Sequence, residues 1–353
     1  MGFIITAISA IVVFALLIFF HELGHFSVAK WVGIKVHEFA IGMGPLLFKF
    51  RRGETMYSLR ALPIGGYVKM EGEDANSEDE RAFNKKPLWA RIAVVIAGAF
   101  MNLVLGYILF VILYGMAGGM MQPVIGKFSA DSPAEQAGMQ LGDRIVKMNN
   151  FRIYTFSDLK YFLSQNKTEP VEMKMERNGQ PLIIKITPVE VKQKGINPQT
   201  NKEEEFSDYI IGFQPSFIAD KSLNGIMKNA YSHTVSMSRI IILSLRDLVT
   251  GKFKVEQMSG PVGIVGAIGT AAKHGLAEVM SFAALISINL GIFNILPIPA
   301  LDGGRLVFLA VEVIRKKPIN PEKEGYVHMI GFAMLMLLLL FTSFNDVKRL
   351  FGF

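Results

Sequence analysis

His21, Glu22 and His25 are the residues whose types and spacing carry chemistry. Two imidazoles four positions apart on a helix share a face and can grip one zinc ion. The glutamate after the first can then reach the water that the metal activates, as a general base. The run leading into them, Phe3 to Phe20, contains no charged residue, so this apparatus begins inside an apolar span. An ionisable side chain within a membrane is costly enough to signal function, and three are gathered here. Together they predict hydrolysis of a peptide bond within or beside the bilayer.

The elements that must position these residues follow from composition. Hydrophobic residues are 51% and charged residues 19% of the 353, and the mean hydropathy is +0.35. Such a chain is a membrane protein carrying a soluble part. The net charge of +7 is not a nucleic-acid signal, because no basic run interleaves with aromatics and the Lys and Arg cluster beside apolar spans. With no cysteine, a metal must take His, Asp or Glu.

Four stretches are apolar enough to cross: Phe3 towards Ala29, Ile92 to Met121, Val279 to Leu301, and Met329 to Phe344. The first lacks the basic start and small-residue cleavage pattern of a signal peptide, so it is expected to be retained. Basic residues crowd the segment between spans one and two, and Arg305, Arg315, Lys316, Lys317 and Lys323 lie between three and four. The positive-inside rule makes both loops cytoplasmic. It puts both termini and the segment Gln122 to Glu278 outside, with the histidine site opening towards the cytoplasm.

A catalytic zinc usually has three protein ligands, so His21 and His25 leave one missing. Asp302 ends the third apolar stretch, after Pro297 and Pro299 and before Gly303 and Gly304. Alone it reads as an interfacial aspartate; beside two metal-spaced histidines it reads as the third ligand. Asn294, within the same stretch, either bonds a neighbouring helix or holds a substrate carbonyl or oxyanion. His37, His233, His274 and His328 read as structural, with His233 among polar neighbours and His328 capping the fourth span.

Between spans one and two, Val36 to Met70 alternates apolar and turn residues around Gly65 and Gly66, as hairpins at the membrane face would. This region is either a connector or a β-edge that pairs with an extended substrate. Glu71 to Lys86 reads as a solvated linker. From Gln122 to Val189 the order of strand, short helix, strand, helix and a hairpin at Asn178-Gly179 resembles a circularly permuted PDZ domain. Its groove beside Val124, Ile125 and Gly126 either binds a peptide or merely excludes bulky proteins. A polar tract follows to Asp208, then an amphipathic surface helix over Asn224 to Thr250, and a break at Ser259-Gly260-Pro261-Val262-Gly263.

The HExxH of the first span, the Asn294 to Gly304 motif, Gly98-x-x-x-Asn102 in the second span, the PDZ-like insert and the Ser259 to Gly263 element together resemble the site-2 protease family. They are most similar to its bacterial regulator-of-sigma-E protease branch, over nearly the whole chain in order. The resemblance implies a zinc metalloendopeptidase of the bacterial inner membrane that cuts single-span proteins, such as anti-sigma factors after a first cut outside, and remnant signal peptides. It assigns zinc to His21, His25 and Asp302, the base to Glu22 and substrate handling to Asn294. The length here permits one PDZ domain where well-known members of that branch carry two.

The expected fold is therefore a multi-pass α-helical membrane protein of about four transmembrane helices, with a membrane-associated β-hairpin region and one extracytoplasmic α+β PDZ domain. Its segments are a first transmembrane helix (1–33), a hairpin region and linker (34–90), a second helix (91–121) and the PDZ domain (122–190). An external linker with an amphipathic helix (191–278), a third transmembrane helix ending in Asp302 (279–304), a cytoplasmic loop (305–327) and a fourth helix (328–353) complete it. Two other functions fit parts of the pattern. A catalytically silent scaffold presenting its PDZ domain would not need Glu22, and a transporter-like ion site would not need zinc spacing.

Overall fold

A computed structural model describes residues 2–73, 77–196, 203–252, 258–317 and 319–351. In chain order the elements are α1 (Gly2–Trp31), β1 (Val36–Arg52), β2 (Thr55–Met70), α2 (Leu88–Ala117), β3 (Gly119–Phe128), α3 (Pro133–Gln136), β4 (Arg144–Met148) and β5 (Phe151–Arg152). Then come α4 (Phe156–Asn166), β6 (Val171–Arg177), β7 (Gln180–Ile186), β8 (Val189–Ile196), β9 (Glu203–Ile210) and β10 (Phe213–Ala219). The chain ends with α5 (Leu223–Val249), α6 (Pro261–His274), α7 (Leu276–Ile295), α8 (Asp302–Arg315) and α9 (Pro321–Phe351). Two compact units divide it, one of residues 1–109 and 256–346, the other of 110–255 and 347–353.

The first unit is helical with one curled β element. Helices α1, α2, α7 and most of α9 are long and apolar enough to cross a bilayer. α1 leaves Phe3, Ile4 and Ile8 exposed, and α9 exposes Met334, Leu337 and Phe344, as lipid-facing surfaces would. α1 stops at a left-handed Gly33 with φ +73°. There the Ile34 N–H returns to the Ala29 carbonyl and Gly33 to Lys30, a glycine C-cap.

β1 and β2 form more than a plain hairpin. Residues 38–41 of β1 pair on one side with 56–59 and on the other with 66–69, while 46–52 pair with 55–60. The strands bend back where Gly42 and Gly44 take φ near +85° and +81°, conformations only glycine adopts cheaply. Residues 66–69 are left at the sheet's edge, paired on one side among the described residues. The linker expected over Glu71 to Lys86 is partly tied down, since Phe83 N–H bonds the Glu71 carbonyl; Asp74, Ala75 and Asn76 lie outside the described residues.

The third apolar stretch departs from expectation. The sequence predicts a single helix over 279–304, but α7 ends at Ile295 and Asp302 begins a separate helix. Pro297 and Pro299 supply no N–H to continue the ladder, so the chain leaves the helix before its aspartate. Downstream, Asp346 of α9 accepts the N–H groups of Gly260 (3.1 Å) and Gly263 (2.8 Å), capping α6.

The second unit centres on a sheet of order β10-β3-β4-β6-β7, with β5 paired to β4. Its core gathers Ile125, Ile145, Met148, Leu159, Met173 and Met175. Asn178 and Gly179, both with positive φ, make the two-residue turn between β6 and β7. α4 starts in a capping box of Thr155 and Asp158. The expected boundary at Val189 is too early, because β10 joins this sheet from residues 213–219. The polar tract after Val189 forms the β8–β9 hairpin, in which Glu190 pairs in register with Tyr209 and Lys192 with Ser207; residues 197–202 lie outside the described residues.

Candidate metal centre

The site forms where α1 and α2 meet at glycines. A Cβ on Gly24 would overlap the Ala97 carbonyl, and a Cβ on Gly98 would overlap His25 Nε2 and come within 2.8 Å of His21 Cε1. Small residues let the backbones close enough for the two imidazoles to sit against α2. One turn separates the imidazoles, which meet edge to face with ring centroids 4.8 Å apart.

The loop from Leu296 to Leu301 brings Asp302 to the same point. Its Oδ2 lies 3.4 Å from His21 Nε2 and 3.3 Å from His25 Nε2, and the two Nε2 atoms are 3.2 Å apart. A tetrahedral zinc with ligand bonds near 2.0–2.1 Å requires donor atoms about 3.3 Å from one another. The triangle fits that ion. Asp302 Oδ2 is moreover a buried oxygen without a hydrogen-bond partner among the described residues, a state that a cation would resolve.

Outer contacts orient the imidazoles. His25 Nδ1 lies 2.8 Å from the Val94 carbonyl, which can only accept, so Nδ1 carries the proton and Nε2 offers its lone pair to the centre. His21 Nδ1 faces Asn102 at 3.2 Å and Asn294 at 3.5 Å. Asn102 is fully buried and its Oδ1 has no partner among the described residues. Turning its amide over, a choice set by the hydrogen-bond network, lets that oxygen accept from His21 Nδ1. Asn102 is a site residue that the sequence reading took only as part of a motif; a polar side chain inside an apolar span was the available signal.

Glu22 is buried and lines a cavity of ≈ 830 Å³ with His21, His25, Asp302, Gly66 and Arg305. A Cβ on Gly66 would lie 2.9 Å from Glu22 Cγ, so the edge segment of β2 passes directly beside the carboxylate. Gly65 points elsewhere, against Met43. The cavity is also bordered by Glu324 and His328 of α9.

Val124, Ile125 and Gly126 do not join this centre. They lie in β3 between β4 and β10, with Pro215 opposite Ile125 and Ser216 packed on Gly126. Both edges are taken, so strand addition at this place, one of the two readings of these residues, has no free ladder to use. His233 is stacked on Phe110 and bonded to Tyr114, not set among polar neighbours; burial lowers its pKa to about 4 and keeps it neutral. His37 pairs with Glu71 at 2.6 Å.

Comparison with known proteins agrees with this chemistry. The model of peptidase family M50 matches residues 9–338. A Clostridium acetobutylicum protein named as a zinc-metalloprotease candidate is 44% identical over 96% of each chain. The regulator of sigma-W protease RasP of Bacillus subtilis is 34% identical, covering 99% of this chain and all of its own. The zinc metalloprotease RasP of Geobacillus kaustophilus is 34% identical over 98% of each. The chain belongs to peptidase family M50, the site-2 protease family. It is a membrane-embedded zinc metalloprotease.

Proposed function

We propose that this protease cuts single-span membrane proteins within the bilayer, with zinc held by His21, His25 and Asp302 and with Glu22 as its general base. The observation that carries this reading is the near-equilateral triangle of Nε2, Nε2 and Oδ2 atoms, 3.2 to 3.4 Å on each side. Bound zinc supplies Lewis-acid activation of water and of the scissile carbonyl. Glu22, buried beside the ligands, takes the proton from the attacking water and returns it to the leaving amine. Val94 and Asn102 hold the imidazoles in the tautomers that leave Nε2 unprotonated. Asn294, whose amide lies 3.5 Å from His21 Nδ1, is the residue we assign to steadying the substrate carbonyl as charge develops on it.

A helical substrate must unwind before it can be cut. The edge residues 66–69, running past Glu22 with one side unpaired, support docking of the unwound segment as an added strand. The substrates fitting this arrangement are stubs left by a first cut outside, among them anti-sigma factors and remnant signal peptides. The sigma-W regulator named among the relatives supports the former. The sheet of the second unit, read as a single PDZ domain, serves as a size filter, in keeping with the paired edges of β3. The Bacillus alignment spans 433 positions against a chain of 353 residues, which supports a smaller insert here. The membrane is the bacterial inner membrane, with the site open to the cytoplasm and the PDZ domain outside.

The test is cleavage of a tagged single-span substrate in reconstituted membranes. Glu22→Gln should keep zinc yet lose cleavage, and normal turnover in that variant would sink the assignment. His25→Ala should lose both; a full zinc content by elemental analysis removes it from the ligand set. The scaffold reading predicts no cleavage by the wild type at all.

A further inference from the structure

We infer that His328, outside the ligand set, is a positioning residue that holds the Asp302 loop in its metal-binding form. This rests on the reading of Asp302 as a ligand. The loop between α7 and α8 has few bonds of its own: Leu296, Ile298, Leu301 and Gly304 donate within it or to the end of α7, and Pro297 and Pro299 have no N–H. The N–H of Ala300 goes instead to His328 Nδ1 on α9, at 2.9 Å. Ala300 has φ +76°, a left-handed conformation that an alanine adopts only under compulsion, and it lies two residues before Asp302. The compulsion comes from α9. Gly331, one turn beyond His328 on the same face, lets the helix press on Pro299, where a Cβ would come 2.5 Å from the Pro299 oxygen.

The tautomer follows from the donor. A backbone N–H only donates, so Nδ1 of His328 is an acceptor and its proton sits on Nε2, which faces Glu324 Oε1 at 3.7 Å. The Phe308 ring packs against the imidazole, 5.6 Å between centroids, and fixes its plane. His328 thus acts on Asp302 through the strained Ala300 and the extended Leu301, while Asp302 Oδ2 itself faces the two imidazole nitrogens at 3.3 and 3.4 Å. Releasing Ala300 lets the loop relax, and Asp302 turns away from His21 and His25.

The full-length protein in detergent tests this by zinc retention against a competing chelator and by the visible spectrum of the cobalt-substituted form. His328→Leu fills the same space without an acceptor; it should lose about 10–100-fold in zinc affinity, the usual cost of removing an outer partner, and alter the cobalt bands. His328→Asn sets a carbonyl oxygen near the place of Nδ1 and should retain wild-type affinity. Adding Ala300→Gly to His328→Leu should recover part of the loss, because glycine takes positive φ without strain. Wild-type affinity in His328→Leu, or an equal loss in His328→Asn, overturns the inference. Asp302→Asn is the separate arm: full zinc retention there removes Asp302 from the ligand set, whatever His328 does.

Discussion

At the scale of single residues, the centre depends as much on what is missing as on what binds. Gly98 is where α2 offers no side chain, and a methyl there would occupy the space of His25 Nε2. Neither imidazole can retreat, because His25 is bonded to Val94 and His21 faces Asn102. Gly98→Ala should therefore lose most bound zinc and all cleavage while the helices still form. Gly115→Ala on the same helix meets nothing within 4 Å and should be silent; elemental analysis of the two side by side decides. The three residues that the structure brings together, His21, His25 and Asp302, were legible in sequence, because HExxH spacing and a lone aspartate after two prolines are chemical anomalies. Gly98 and Asn102 were visible only as a pattern, since neither carries charge and their meaning lies in how closely two helices approach.

At the scale of elements, two caps and clamps decide which pieces hold. Asp346 accepts from Gly260 and Gly263 at the start of α6, meeting donors that a helix N-terminus otherwise leaves unpaired. Asp346→Ala should cost about 1 kcal/mol, seen as a lower thermal midpoint in detergent, with Asp346→Asn between the two. In the second unit, Arg177 donates to both oxygens of the buried Asp143 at 2.7 and 2.8 Å and holds that carboxyl below its ordinary range. A depressed carboxylate contributes stability that is present above the unfolded pKa, about 3.9, and is lost as pH falls through the lower folded value. Arg177→Leu should thus melt earlier than wild type at neutral pH, and the gap should narrow as pH falls through the depressed folded value of Asp143. A gap independent of pH would refute the pairing's role. Long periodic helices were legible from the sequence, whereas β10 was not, because its pairing with β3 joins residues about ninety positions apart. The break after Ile295 is signalled by two prolines that interrupt the helical ladder, yet the expected third helix runs on to residue 304; the end of a helix and its kink share that signal.

At the scale of the whole molecule, the loop charges predict which side of the membrane each part faces, and the sequence offers a clean way to measure it. The chain has no cysteine, so every thiol in a test protein is one placed there. Lys85 and Lys317 are exposed residues in the two loops whose basic excess predicts a cytoplasmic side, and Gln180 is exposed at the turn after β6, which the same rule predicts to lie outside. In spheroplasts, an impermeant maleimide should label Gln180→Cys at once and label Lys85→Cys and Lys317→Cys only after permeabilisation. The reverse pattern would invert the topology, and labelling of all three in intact cells would refute the alternation of sides. The same assay bears on α5, whose buried Asp247 and Arg239, bonded to Asp158, suit a helix lying against the soluble unit. Were α5 a fifth crossing, Gln180 and Lys317 would report opposite sides only if another span were lost, because each added crossing exchanges the sides of everything after it. With four spans, the positive-inside rule predicts that the HExxH end of α1 and the start of α8 lie towards the same basic loops, so the proposed water route to Glu22 starts from the side on which Lys85→Cys and Lys317→Cys are labelled.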